Sequence, residues 1–273
     1  MNSISYASPL TSRFLVKYYR APEHRAKQRL WRWIRRAQGY SRLQTPYHGG
    51  WITLDERDLL QRCILRDGFY EREVWDSLLP HVTANSCFWD VGAHIGTFSV
   101  LALSDPRIVN VQAFEPNPRT RSILSRHAKL NRPSITVHGC AVGDADTDLE
   151  LNLPPDENTG LASLSESFGG GTVKVPVRTI DTLIYVDRLP PPSILKIDVE
   201  NWEENVLLGG KRFMAENRPK AIVLEAACDP TGGFAAPTLE HAIRSIGFRA
   251  QRISRPDGHL ETRENYLLTP RDR

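Results

Sequence analysis

Residues 88–100 read FWDVGAHIGTFSV. An apolar run meets two glycines, Gly92 and Gly96, and the chain then continues as an apolar helical pattern. This predicts a buried strand over 87–92 and a helix over 95–104. Gly92 lets the backbone leave the strand sharply, and Gly96 is expected to let the start of the helix come close to a ligand. The spacing is GxxxG, not the GxGxxG that places a pyrophosphate on a helix N-terminus. Asp90 at the strand end suits a cationic or hydroxyl-bearing ligand better than a phosphate.

Working outward, strands and helices alternate. Helices are expected over 54–66 and 71–82, before the quoted strand. After it come strand 108–114, helix 118–130, strand 135–142, a hairpin-rich stretch 145–181, strand 193–199, helix 202–208, strand 221–226, helix 238–246 and strands 248–254 and 264–269. Such alternation implies an open α/β sheet with helices on both faces. Ligands of these sheets lie at the carboxyl ends of the strands, where strand order reverses. The second strand ends VQAFEPNP (111–118). Glu115 at its tip is placed to accept the two ribose hydroxyls of a nucleoside. Asn117 can cap the next helix and Pro118 fits its first turn.

The 273 residues, 40% hydrophobic and 25% charged, suit a soluble globular chain with one sizeable domain and an appendage. The net charge of +3 hides an asymmetry. Residues 1–50 hold ten Lys or Arg and a single acid, Glu23, which leaves 25 basic against 31 acidic residues in the remainder. Within this arm HRAKQRLWRWIRRAQ (24–38) fits a helix with Leu30, Trp33, Ile34 and Ala37 on one face. A basic helix with tryptophans can meet an anionic membrane surface or an acidic partner, or dock on its own domain. Nucleic acid is disfavoured, since no recognisable nucleic-acid module follows. The arm, 1–50, is expected to be separable from a domain over 51–273. Cys63, Cys87, Cys140 and Cys228 form no CxxC pair and read as thiols of a reducing compartment. No apolar run approaches a membrane span and no signal-peptide core is present, so a cytoplasmic location is expected.

DVGAHIG (90–96), FEPNP (114–118), AVGD (141–144), NTGLASL (158–164), TIDTL (179–183) and KIDVE (196–200) occur in this order. In this the chain resembles the FkbM-type members of the class I S-adenosylmethionine-dependent methyltransferases, over about residues 65–270. It departs from the family pattern at His94, where Asn is usual, and at Asn201, where Gly is usual. Asn201 to Glu204 has the spacing of a capping box for the next helix.

The resemblance implies a Rossmann-like, mostly parallel seven-stranded sheet with an antiparallel last strand, and S-adenosylmethionine as cofactor. Asp90, Gly92, Ala93, His94 and Gly96 would then face the methionine and sugar, with His94 toward the methionine carboxylate. Glu115 would hold the ribose. Ala141, Val142 and Asp144 would neighbour the adenine, and Tyr70 and Glu71 would close the methionine end. Asp198, at the end of the fourth strand, is expected to accept the proton of a hydroxyl nucleophile. Glu200 and Glu225 are expected beside it, and Lys196 to keep one of these acids ionised. Paired carboxylates also resemble a Mg²⁺ site, which is disfavoured because the sequence offers no further ligand. The 145–181 segment would form a flap over the substrate. The acceptor implied is a hydroxyl of a sugar, glycolipid or natural product. A nicotinamide-dependent oxidoreductase and a non-catalytic binding protein on the same fold are the alternatives.

Overall fold

The structure, a computed structural model, describes residues 9–22, 26–27, 29–30, 33, 42–55, 57–131, 135–153, 163–164, 169–255 and 260–271. Its helices are α1 (Pro9–Arg20), α2 (Leu59–Asp67), α3 (Arg72–Leu78), α4 (Thr97–Ala102), α5 (Pro118–Leu130), α6 (Ile180–Tyr185), α7 (Glu203–Leu208), α8 (Lys211–Glu216) and α9 (Pro237–Ser245). The strands are β1 (Leu43–Tyr47), β2 (Gly50–Leu54), β3 (Ser86–Val91), β4 (Ile108–Phe114), β5 (Ile135–His138), β6 (Ala141–Val142), β7 (Thr147–Asn152), β8 (Thr172–Arg178), β9 (Ile194–Ile197), β10 (Ala221–Ala227), β11 (Phe248–Arg252) and β12 (Arg263–Pro270).

Seven strands form the main sheet in the order β11-β12-β10-β9-β3-β4-β5. The chain starts in the middle, at β3, moves outward through β4 and β5, and returns to β9 on the other side of β3. The reversal of strand order therefore lies between β3 and β9. All of these contacts are parallel up to β10, and β12 runs antiparallel to both β10 and β11. This is the class I methyltransferase sheet, with the antiparallel last strand that the motifs imply. Every residue of β3 is buried, as befits a central strand covered on both faces. The end of β4 runs into α5 through the expected cap. The Asn117 side chain accepts from the Arg119 amide, and Pro118 takes the first helical position.

Three expectations are corrected. The strand expected over 135–142 is two strands. β5 stays in the main sheet, while β6 pairs with β8 in a separate sheet of order β6-β8-β7. The last residues of the hairpin stretch 145–181 already belong to α6, which Thr179 caps by accepting from the Thr182 amide. The capping box at Asn201 is absent. Trp202 occupies the cap position of α7 without a side-chain bond, and the Asn201 amide donates to Glu203 instead of Glu204.

The N-terminal region is less separable than its charge suggests. Leu15 and Val16 of α1 are buried in one core cluster with Leu43, Tyr47, Ile52 and Leu54 of the β1–β2 hairpin. A boundary at residue 50 cuts that hairpin, whose Tyr47 and Gly50 face each other. The hairpin is bolted to α5. The Asn131 side chain exchanges hydrogen bonds of 2.6 Å with the Trp51 amide and carbonyl. His127 accepts from the Thr53 amide at 2.8 Å. Most of the basic stretch 24–38 lies outside the described residues. No helix among the described residues is long and apolar enough to cross a membrane. All four cysteines are free; Cys87 and Cys140 are buried, and Cys63 and Cys228 are half-buried.

Candidate active site

A cavity of about 260 Å³ opens at the carboxyl ends of β3, β4, β9 and β10, where strand order reverses. Of the residues singled out in the sequence, Tyr70, Asp90, Gly92, Ala93, His94, Glu115, Ala141, Val142, Lys196, Asp198, Glu200 and Glu225 line it. Gly96, Asp144 and Glu71 do not. Gly96 heads α4 with φ 87° and packs under Leu124, so the missing side chain serves helix–helix contact, not ligand approach. Asp144 is exposed beyond the end of β6. Glu71 stands behind the lining and accepts from the Asn265 side chain at 3.2 Å.

Gly92 has φ 79°, and a Cβ there would overlap the carbonyl oxygen of Asp198. The glycine thus lets β3 and the end of β9 close on each other at the reversal point. His94 follows with φ 51°, in a region that Asn and His enter more readily than other side chains. The same logic explains Asn201 at φ 67° in the place of a glycine.

Two acids serve the β3–β4 side. Glu115 is buried, and its two oxygens accept from the His94 and Asn117 amides, each at 2.8 Å. Burial nevertheless pushes its pKa up to about 7. Asp90 is 1% exposed. Its Oδ2 accepts from the Ser99 hydroxyl at 2.6 Å, while its Oδ1 is buried without a hydrogen-bond partner. Such an orphaned carboxylate oxygen at a cavity is costly unless a ligand donates to it.

The β9–β10 side carries a second group. Lys196 is 4% exposed and donates to Asp198 Oδ2 at 2.8 Å. Its Nζ also lies 4.7 Å from the centroid of the Phe98 ring. Burial opposes its charge, but Asp198, Asp90 and Glu71 together hold the ammonium on. Burial likewise opposes the charge of Asp198, and Lys196 overrides it, so that this carboxyl titrates below its usual range. Glu200 is different. Burial and the neighbouring Asp198 push it up to about 7, with Arg263 pulling the other way. Glu225 is raised for the same reasons. Asp198, Glu200 and Glu225 each offer an oxygen, all within 4.8 Å of one another.

Arg263, at the start of β12, is the member that sequence reasoning misses. Its Nε donates to Glu225 at 2.9 Å, its Nη2 to Glu203 at 3.1 Å, and its Nη1 to the Asn201 side chain. Only the pairing of β12 beside β10 brings it here. Ser163 donates to the Glu200 carbonyl at 2.9 Å, and its neighbour Leu164 lines the cavity. The rest of the NTGLASL stretch lies outside the described residues.

Comparison with known proteins bears on this site. The sequence profile of the methyltransferase FkbM domain matches residues 90–250, more than half of the chain. Among curated proteins, the chain is 26% identical over 166 residues to the hexuronic acid methyltransferase AglP of Haloferax volcanii, covering 61% of this chain and 67% of that one. It is 29% identical over 189 residues to the 31-O-demethyl-FK506 methyltransferase FkbM of Streptomyces tacrolimicus, covering 58% of this chain and 70% of that one. Among solved structures, the methyltransferase FkbM of Methylobacillus flagellatus aligns with a TM-score of 0.47 at 16% identity, over 90% of this chain and 71% of that one.

Proposed function

Because the chain belongs to the FkbM methyltransferase family, we propose that it methylates a hydroxyl group of a sugar or natural product, with S-adenosylmethionine as donor. The observation that carries this reading is Asp90 Oδ1, a buried acceptor without a partner on the wall of the cavity. It suits the ammonium of the methionine moiety. Glu115, fixed by two amides at the tip of β4, suits the ribose hydroxyls. Ala141 and Val142 border the same cavity and suit the adenine. Once bound, the donor supplies an activated methyl on a sulfonium, so the protein has to align the acceptor and take its proton.

For that proton the chemistry favours Glu200 over Asp198. A base works best when its pKa lies near the working pH. Asp198 is held ionised by Lys196 and is a weak base, whereas Glu200 titrates near 7. Asp198, Lys196 and Arg263 then position and polarise the acceptor end. The two cations already paired with Asp198 and Glu225 weigh against Mg²⁺ between the same carboxylates. The names of the relatives, one acting on a hexuronic acid and one on the 31-oxygen of a natural product, support oxygen as the methylated atom.

The test is methyl transfer from donor labelled in its methyl group, with a panel of glycosides and natural-product alcohols. Label recovered as an O-methyl ether is the expected result. Label on nitrogen or carbon, or no transfer beside intact donor binding, would overturn the assignment.

A further inference from the structure

We propose that Trp202 reads the base of the methyl donor, its indole N–H donating to a ring nitrogen of the adenine. The inference rests on the methyl-transfer reading above and assigns a further residue to its donor site. Trp202 lines the cavity, and Nε1 of its indole is buried without a hydrogen-bond partner. An indole nitrogen can only donate, so such a group in a cavity wall is costly unless a ligand accepts from it. Trp202 does not use this N–H for its own helix. It stands at the cap position of α7 without a side-chain bond, and its ring packs against the apolar cluster that holds Val142, Val206 and Leu207.

The indole lies where the adenine is expected. Ala141 and Val142 border the cavity and lead into Gly143, and a Cβ at Gly143 would stand 2.9 Å from Trp202 Nε1. Glycine at this position therefore keeps the polar edge of the indole clear of a side chain at the exit of β6. Two other donors of this neighbourhood are engaged. The Gly143 amide donates to the Arg178 carbonyl at 3.0 Å, and the Thr120 hydroxyl donates to the Asn117 carbonyl at 3.2 Å. Cys140 also lines the cavity, but a thiol is a weak donor. Asp144, the residue expected to meet the base, is exposed and does not line the cavity. Adenine presents its ring nitrogens as acceptors, and the buried indole N–H is the complementary group. Asp90 and Glu115 are assigned to the ammonium and the ribose, so Trp202 serves a part of the donor that neither of them reaches.

The experiment titrates S-adenosylhomocysteine and its 1-deaza, 3-deaza and 7-deaza analogues, each lacking one ring nitrogen, into the full chain and into Trp202→Phe by calorimetry. Trp202→Phe keeps an aromatic ring and removes the N–H. It is expected to weaken S-adenosylhomocysteine about tenfold, while one of the three analogues binds both proteins alike. A packing role would instead weaken all four ligands by the same factor. A second readout needs no variant. Trp202 is the only tryptophan among the described lining residues, so saturation with S-adenosylhomocysteine is expected to change the intrinsic fluorescence of the unmodified chain, and Trp202→Phe to lose that change. The proposal is overturned if Trp202→Phe binds S-adenosylhomocysteine as the unmodified chain does, if it loses the same factor for every ligand, or if saturation leaves the fluorescence of the unmodified chain unaltered. If S-adenosylhomocysteine does not bind the unmodified chain at all, the donor-site reading fails and this proposal falls with it.

Discussion

Glu115 and Glu200 both titrate near 7, yet different surroundings give them different work. Glu115 is sealed at the β4 tip with an amide on each oxygen, so it can hold a ligand but not follow a moving proton. Replacing it with Ala removes hydrogen bonds to a charged group, worth roughly 1.5–3 kcal/mol, and should weaken S-adenosylhomocysteine about tenfold to a hundredfold. Unchanged affinity by calorimetry would remove the ribose role. Glu200 stands at the open end with a side chain 21% exposed. As the base it must be ionised, so kcat/KM should rise with pH through about 7 and level off above it. In Glu200→Gln that limb should vanish and kcat fall by about a hundredfold or more. A limb that persists would remove Glu200 as the base, and it could not come from Asp198, which titrates below its usual range. Asp198 and Glu225 are legible in the sequence because each follows an apolar run, and the parallel pairing of β9 with β10 brings them together. Arg263 is not legible. It begins a strand 38 residues after Glu225, and only antiparallel pairing returns it to the site.

At the scale of elements, the β1–β2 hairpin shows how a missed piece of structure matters. Its signal is present: Leu43, Thr45 and Tyr47 alternate with outward residues before the turn at 48–49. Pro46 hides it, since proline in a strand argues for an edge. The basic charge around it then reads as a surface arm. The hairpin is held by His127, which is fully buried. It donates from Nδ1 to the Ile95 carbonyl at 2.7 Å and accepts at Nε2 from the Thr53 amide. Burial pulls its pKa down to about 4 from 6.5. The unfolded chain therefore binds this proton first as pH falls. The contribution of His127 is complete above about 6.5 and is lost progressively down to about 4, a loss of roughly 3 kcal/mol. Urea midpoints across this range should show the slope, and His127→Gln, which cannot charge, should flatten it. An equal slope in the variant would place the pH dependence elsewhere.

For the whole molecule, alternation and six short motifs were enough to place the sheet, its reversal point and most of the cavity wall, because a buried parallel strand leaves a continuous apolar run and a ligand-facing turn follows at its end. The extent of the folded unit was not legible from charge. Leu15 and Val16 are 4% and 5% exposed, and burying such side chains is worth about 1.5–3 kcal/mol each. Deleting residues 1–38 should therefore lower the melting temperature markedly and expose apolar surface around Leu43 and Tyr47, seen as dye binding. A truncated chain as stable as the full one would restore the separable arm.

The central claim is that the cavity at the reversal of strand order is a donor site for S-adenosylmethionine. The most direct measurement is calorimetric titration of the full chain with S-adenosylhomocysteine, and with NAD⁺ in parallel. Saturable binding of S-adenosylhomocysteine alone is the expected result. Binding of NAD⁺, or of neither, would contradict the assignment of Asp90 and Glu115 to a methyl donor.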